Sequence, residues 1–165
     1  AAWRADLVWS TLEDGKDKSG YFEFVANIDY SWIWQDKNYY GFIEYYHNSL
    51  GKNNYTNAMG DPDAMERIDR GELFALGKNY LSAQIQMELH PLFNIYLSII
   101  NNVRDPSGII QPWAIFSVTQ NLNLHFGATL FYGKKGSEYG GFFIPGTNFH
   151  TNAAPNAYVR FTYYF

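Results

Sequence analysis

At 165 residues, with a net charge of −4 and no cysteine, the chain fits one domain spanning 1–165 and excludes disulfides and thiolate metal sites. It carries no basic surplus of the kind that binds nucleic acid or anionic surfaces. Its anomaly is aromatic: Phe, Trp and Tyr make up 19%, yet the mean hydropathy is −0.32, and no run nears the roughly eighteen apolar residues of a transmembrane helix.

Alternating segments recur along the chain, and period-2 alternation marks strands with two chemically different sides. The first, AWRADLVWST, sets Trp3, Ala5, Leu7 and Trp9 against Arg4, Asp6 and Ser10. YFEFVANIDYSW sets Phe22, Phe24, Ala26, Ile28, Tyr30 and Trp32 against Glu23, Asn27, Asp29 and Ser31. YYGFIEYYHN reads less cleanly, with Gly41, Ile43 and Tyr45 opposite Tyr40, Glu44, Tyr46 and Asn48. YLSAQIQMEL is the clearest, placing Leu81, Ala83, Ile85, Met87 and Leu89 against Ser82, Gln84, Gln86 and Glu88. FNIYLSIINN, IIQPWAIFSV and LNLHFGATLFY follow the same rule, the last with His125 and Thr129 on its polar side. NAYVRFTYYF completes the set, with Val159, Phe161, Tyr163 and Phe165 facing away from Tyr158, Arg160, Thr162 and Tyr164.

The connections alternate as well. WQDKN, HPLFN and TQNLN are short, whereas LEDGKDKSG, NNVRDPSG and the segments 51–79 and 133–156 are longer. Eight strands of about 9–11 residues, with short turns at one end and long loops at the other, predict an all-β fold: a transmembrane antiparallel up-and-down β-barrel. Both chain ends then fall on the short-turn, periplasmic side. The N-terminal AAWRADLVWS shows no basic leader before an apolar block, so any signal peptide is expected to be already removed.

A soluble barrel with its apolar face inward is the competing arrangement. It would load Trp3, Trp9, Phe22, Phe24, Trp32, Phe93, Phe116, Phe126, Phe161 and Phe165 into one lumen, and an eight-stranded interior is only just wide enough for ordinary side chains. Turned outward, the same rings form a lipid-facing belt. The lysines support this orientation, since Lys16, Lys18, Lys37, Lys52, Lys78, Lys134 and Lys135 all lie in or beside predicted loops and turns. Arg4, Asp6, Glu23, Asp29, Glu44, Gln84, Gln86, Glu88, His125 and Arg160 are therefore the expected lumen network or pore lining. Closure of the barrel brings the first and last strands together, with Arg4, Asp6 and Arg160 as neighbours. A network of that kind fills a narrow barrel, whereas in a wider one the acidic excess favours cations or polar solutes.

The terminal YVRFTYYF, with Tyr158, Phe161, Tyr163 and Phe165, resembles the C-terminal signal of Gram-negative outer-membrane proteins, which the barrel-assembly machinery reads. RGELFALGKNYLSA, ELHPLFNIYLSIINNVRDPSGIIQP and TQNLNLHFGATLFYG resemble a group of uncharacterised proteobacterial outer-membrane proteins. In that group similar strands form the C-terminal part of a longer polypeptide. Either a natural eight-stranded barrel or the C-terminal portion of a wider one is thus expected. The resemblance implies the bacterial outer membrane as location, with its lipids and the assembly machinery as partners. It supplies no cofactor and no activity.

GDPDAMERIDRGELF predicts a short helix, with Asp61 as cap, Pro62 in the first turn and Gly71 as the stop. Its acids Asp61, Asp63 and Glu66 suit the helix N-terminus better than a cation site. A lipid-modifying enzyme remains as a different class of reading, with His125 and His150 to inspect, but no nucleophile–base–orienter set accompanies either. His47 and His90 read as interfacial residues, and the histidines share no metal-ligand spacing. A non-enzymatic structural or porin-like role is the leading expectation. A diffusion channel is the alternative for a wider barrel, and any extracellular partner would meet the long loops.

Overall fold

The computed structural model describes residues 1–14, 17–55, 61–71, 75–144, 146–151 and 153–165. Eight strands follow one another: β1 (Ala2–Asp14), β2 (Asp17–Trp34), β3 (Lys37–Asn48), β4 (Asn79–His90), β5 (Phe93–Asn102), β6 (Ser107–Thr119), β7 (Leu122–Tyr132) and β8 (Asn156–Tyr163). Among the described residues a helix, α1 (Pro62–Asp69), lies in the β3–β4 connection. The strands form a single antiparallel sheet in sequence order, β1 to β8. The fold is all-β and up-and-down.

The sheet is open, which corrects the expectation of a closed ring. Among the described residues β1 pairs only with β2, β8 pairs only with β7, and the two edge strands make no contact with each other. Arg4 and Asp6 on β1 are therefore not neighbours of Arg160 on β8. Alternation within a strand specifies its faces, but says nothing about which strand lies beyond each edge.

Register keeps the two faces apart across the whole sheet. Trp3, Ile28, Ile43, Ala83, Ile99, Ile110 and Leu130 form one continuous cross-strand row on the apolar side. Arg4, Asn27, Glu44 and Ser82 form the adjacent row on the other side. The apolar side is broadly exposed, with Trp3 at 81% and Phe161 at 71%. Among the described residues the buried apolar groups are only Tyr55, Tyr80, Ala114 and Phe142.

Two of the expected long links are tight. The β1–β2 ladder continues to Asp14↔Asp17, and residues 103–106 alone join β5 to β6. Backbone pairing continues there past the end of the apolar alternation, so charged strand extensions read as loop. The long links are 49–78 and 133–155, both at the end opposite the short turns. β8 ends at Tyr163, so Phe165 lies beyond the strand rather than on its apolar face. The predicted helix is present, with Gly71 at φ 72° immediately after it. Asp61 is ion-paired to Lys52 at 3.0 Å and Glu66 to Arg70 at 3.2 Å, so these two acids already have cationic partners.

Ladder irregularities gather at the short-turn end. Shifts fall between Glu88 and His90 and between Ser117 and Thr119, where a bulge bends the strand. The β2–β3 turn holds Gln35 and Asp36 at φ 49° and 58° between the paired Trp34 and Lys37. Positive φ at both central residues matches the twist of the flanking strands and normally selects Asn-Gly. Replacing Gln35→Asn and Asp36→Gly together should raise unfolding free energy by about 1 kcal/mol. The urea midpoint of the refolded protein measures this, and a fall in that midpoint would contradict the turn geometry.

Candidate functional site: the polar face and its loop cap

The residues expected to line a lumen do share one face, but they divide into two groups. Arg4, Asn27, Asp29, Tyr40, Phe42 and Glu44 surround a hollow of about 280 Å³ over β1–β3. Glu23 lies two rows beyond, beside Asn48, and Glu88 lies opposite Asn94 near the short turns. The carboxylates accept from neutral donors. Tyr46 Oη and Asn48 Nδ2 donate to Glu23 Oε1 at 2.8 and 2.7 Å, Asn27 Nδ2 to Glu44 at 3.3 Å, and Asn38 Nδ2 to Glu88 at 3.1 Å. Gln84 accepts from Ser98 at 2.9 Å, and Gln86 donates to Asn94 at 3.2 Å.

The second group lies on β6–β8. His125 and Arg160 are direct cross-strand partners. With Gln111, Trp113, Ala128, Thr129 and Tyr158 they line a separate hollow of about 270 Å³. Of the terminal signal residues, Phe161 and Tyr163 fall on the apolar side and Tyr158 on the polar side. His150 is in the last loop, where its ring meets Phe143 edge-on at 5.0 Å and its Nε2 is buried without a hydrogen-bond partner. The structure thus does not bring His125 and His150 into one hydrogen-bonded set.

Above the polar face the two long loops meet around one carboxylate that the sequence did not single out. Glu138 Oε1 accepts from Leu76 N at 2.8 Å and Tyr80 Oη at 2.7 Å, while its Oε2 accepts from Asn102 Nδ2 at 2.7 Å. Asn102 also donates to Tyr55 Oη at 2.9 Å, and Glu138 N donates to Asp105 Oδ2 at 2.6 Å. Tyr55 packs against Phe142 with ring centroids 5.8 Å apart, which joins the β3–β4 loop to the β7–β8 loop. Asn102 and Ser107 are fully buried beneath them. Strand ends, a four-residue turn and two long loops thus converge on Glu138. The only signal in sequence was the density of glycine around it, at Gly133, Gly136, Gly140 and Gly141.

No protein-family model, curated protein or solved structure matches the chain. Function is therefore argued from the two faces and the cap.

Removing the Glu138 carboxylate leaves the Tyr80 hydroxyl, the Asn102 amide and the Leu76 N–H without their acceptor. Unsatisfied buried groups cost about 1–3 kcal/mol each, so with three donors Glu138→Ala should weaken loop docking by at least about 3 kcal/mol. Tryptic cleavage at Lys134 and Lys135 should accelerate at least about tenfold, while the strand circular-dichroism signal stays unchanged. Unaltered cleavage would mean that the loops are held elsewhere.

Two loop phenols make the cap sensitive to base. Burial pushes Tyr55 above its ordinary value of 10.0, with Asp105 and Glu138 adding to the effect. Burial, then Glu138, does the same for Tyr139. A phenol whose value is raised on docking contributes stability that is complete below the undocked value and is lost as pH rises through the docked one. Loop protection should accordingly be constant up to about pH 10 and decline above it. Absorbance at 295 nm should resolve a late-titrating tyrosine class that shrinks in Tyr139→Phe.

Proposed function

We propose that the chain forms a transmembrane β-barrel of the Gram-negative outer membrane, structural or porin-like, with the loop-capped end outward. The carrying observation is the layout of the exposed apolar side. Its centre is mainly aliphatic, built from Ile28, Ile43, Ala83, Ile85, Leu97, Ile99, Ile110 and Leu130, with Trp3 and Tyr30 the aromatic exceptions. Aromatic bands flank it at both ends. Trp9, Phe22, Phe24, Tyr45 and His47 lie towards the loops, whereas Trp32, Trp34, Tyr39, Phe93, Phe116 and Phe161 lie towards the short turns.

The polar tips in the upper band suit an interface. Tyr45 Oη and His47 Nδ1 each lie 2.7 Å from Asn79 Oδ1. From Phe22 to Trp34 the strand rises about 40 Å, or roughly 28 Å at a 45° tilt, close to the apolar height of outer-membrane barrels. Soluble monomers rarely expose contiguous apolar patches beyond a few hundred Å². Acyl chains cover such a belt on every side, which no single partner surface does.

Lipid offers no partner to the open edges of β1 and β8, so the membrane form is closed. Direct β1–β8 pairing gives eight strands. The second reading, a diffusion channel within a wider barrel, draws on the bulk of the polar face. Tyr40, Gln86, Tyr96, Trp113 and Tyr158 occupy one cross-strand layer, and an eight-stranded interior has little room for several rings in one layer.

Brominated acyl chains test the orientation. Trp3, Trp9, Trp32 and Trp34 lie on the apolar side, whereas Trp113 lies on the polar side. In lipid vesicles a variant keeping only Trp32 should be strongly quenched, and one keeping only Trp113 should not. Equal quenching of both would sink the proposal. Single-channel recordings then separate the readings, since a filled narrow barrel is silent and a wider one conducts.

A further inference from the structure

We propose that the hollow between β6, β7 and β8 is a solute subsite for a small anion carrying a flat ring. The inference rests on the reading of the polar face as a lumen.

The hollow begins with a backbone irregularity. Pro112 has no N–H, and the β6–β7 ladder lapses at Gln111 and Pro112, resuming in the same register at Trp113↔Gly127. Gln111 bridges the lapse through its side chain, donating to Thr129 Oγ1 at 3.4 Å. Irregular backbone at membrane depth is tolerated where it lines a hydrated cavity, and the lapse opens into the hollow of about 270 Å³.

One wall is a ring platform. Trp113 stacks on Tyr96 with centroids 3.6 Å apart and planes 2° apart, so the face of its indole towards β5 is occupied. On the β7 side stands Gly127. A Cβ there would come within 2.7 Å of Trp113 Cβ and 3.0 Å of Tyr158 Oη. The missing Cβ lets the Tyr158 hydroxyl pack down over β7 beside Trp113, and both side chains line the hollow.

The opposite wall supplies charge. Arg160 and His125 face each other across β7–β8, and among the described residues Arg160 has no carboxylate within ion-pair distance. In the open sheet the polar-face carboxylates Asp6, Glu23, Asp29, Glu44 and Glu88 lie on β1–β4 instead. A guanidinium left without an anion, next to a second potential cation, matches a carboxylate or phosphate oxygen pair. Hydroxyl and amide groups from Thr129, Tyr158 and Gln111 complete the rim. Ring platform, cationic fork and small volume together define the ligand class.

Calorimetric titration of the refolded protein in detergent tests this with three probes. Benzoate carries both features, acetate only the charge and benzamide only the ring. Benzoate should bind saturably and at least tenfold more tightly than either of the others. Arg160→Gln should weaken benzoate at least tenfold and leave benzamide unchanged, and Trp113→Leu should erase the preference of benzoate over acetate. Arg104→Gln, in the turn between β5 and β6 and outside the hollow, should change nothing. Retained heat-modifiable mobility on gels confirms that each variant is folded. Equal binding of benzoate and acetate, or benzoate binding indifferent to Arg160→Gln, overturns the subsite. Because binding is read without ion flow, a silent protein that binds benzoate refutes the channel and not the subsite. A conducting protein that ignores benzoate does the reverse.

Discussion

Side chains alternate across a strand, so a one-residue slip in any strand pair would carry a row of tryptophan, isoleucine and leucine onto the side held by carboxylates and amides. Register is accordingly the constraint on which the rest of this molecule depends, and it holds from Ala2↔Asp29 at one edge to Leu122↔Tyr163 at the other. The usual means of enforcing register, a buried apolar core, is nearly absent. The faces are instead pinned by cross-strand side-chain pairs such as Ser98–Gln84 and Gln86–Asn94 on one side and Trp32–Tyr39 on the other.

The polar face avoids the usual cost of charge in a confined space. Glu23, Glu44 and Glu88 accept from amides and a phenol rather than from arginines, so their oxygens have donors without a cation beside them. Arg4 shares its hollow with Asp29 and Glu44, while Arg160 is left on the other flank with His125. Acidic groups thus dominate β2–β4, and Arg160 sits beside His125 at β7–β8.

Period-2 alternation located every strand and assigned both faces, because that pattern is written locally and repeated across the whole sheet. Strand ends were less legible. Charged residues such as Asp14 and Asp17 continue the backbone pairing after the apolar signal has stopped, and YYF at the C-terminus continues the signal after the strand has stopped. The open edges were not legible at all, since nothing in a strand's own residues names the strand beyond it. Nor was the Glu138 hub, whose partners Leu76, Tyr80 and Asn102 lie 36–62 positions away. The subsite was half-visible: His125 and Arg160 stood out as inward charges, but Pro112 registered only as one apolar-side residue and not as the source of a gap.

The difference between the two ends of the sheet has a consequence for biogenesis. At one end the strands are joined by Gln35–Asp36, Pro91–Leu92 and Gln120–Asn121, whereas the other carries the β3–β4 and β7–β8 loops and the helix α1. Moving a polar segment through hydrocarbon costs more with every peptide group it contains. In the proposed barrel, with the loop-capped end outward, it is the costlier loop end that would have to cross, so the loops would pass before Glu138 draws them together. The cap would then act as a latch that closes only on the far side and opposes any return of the strands.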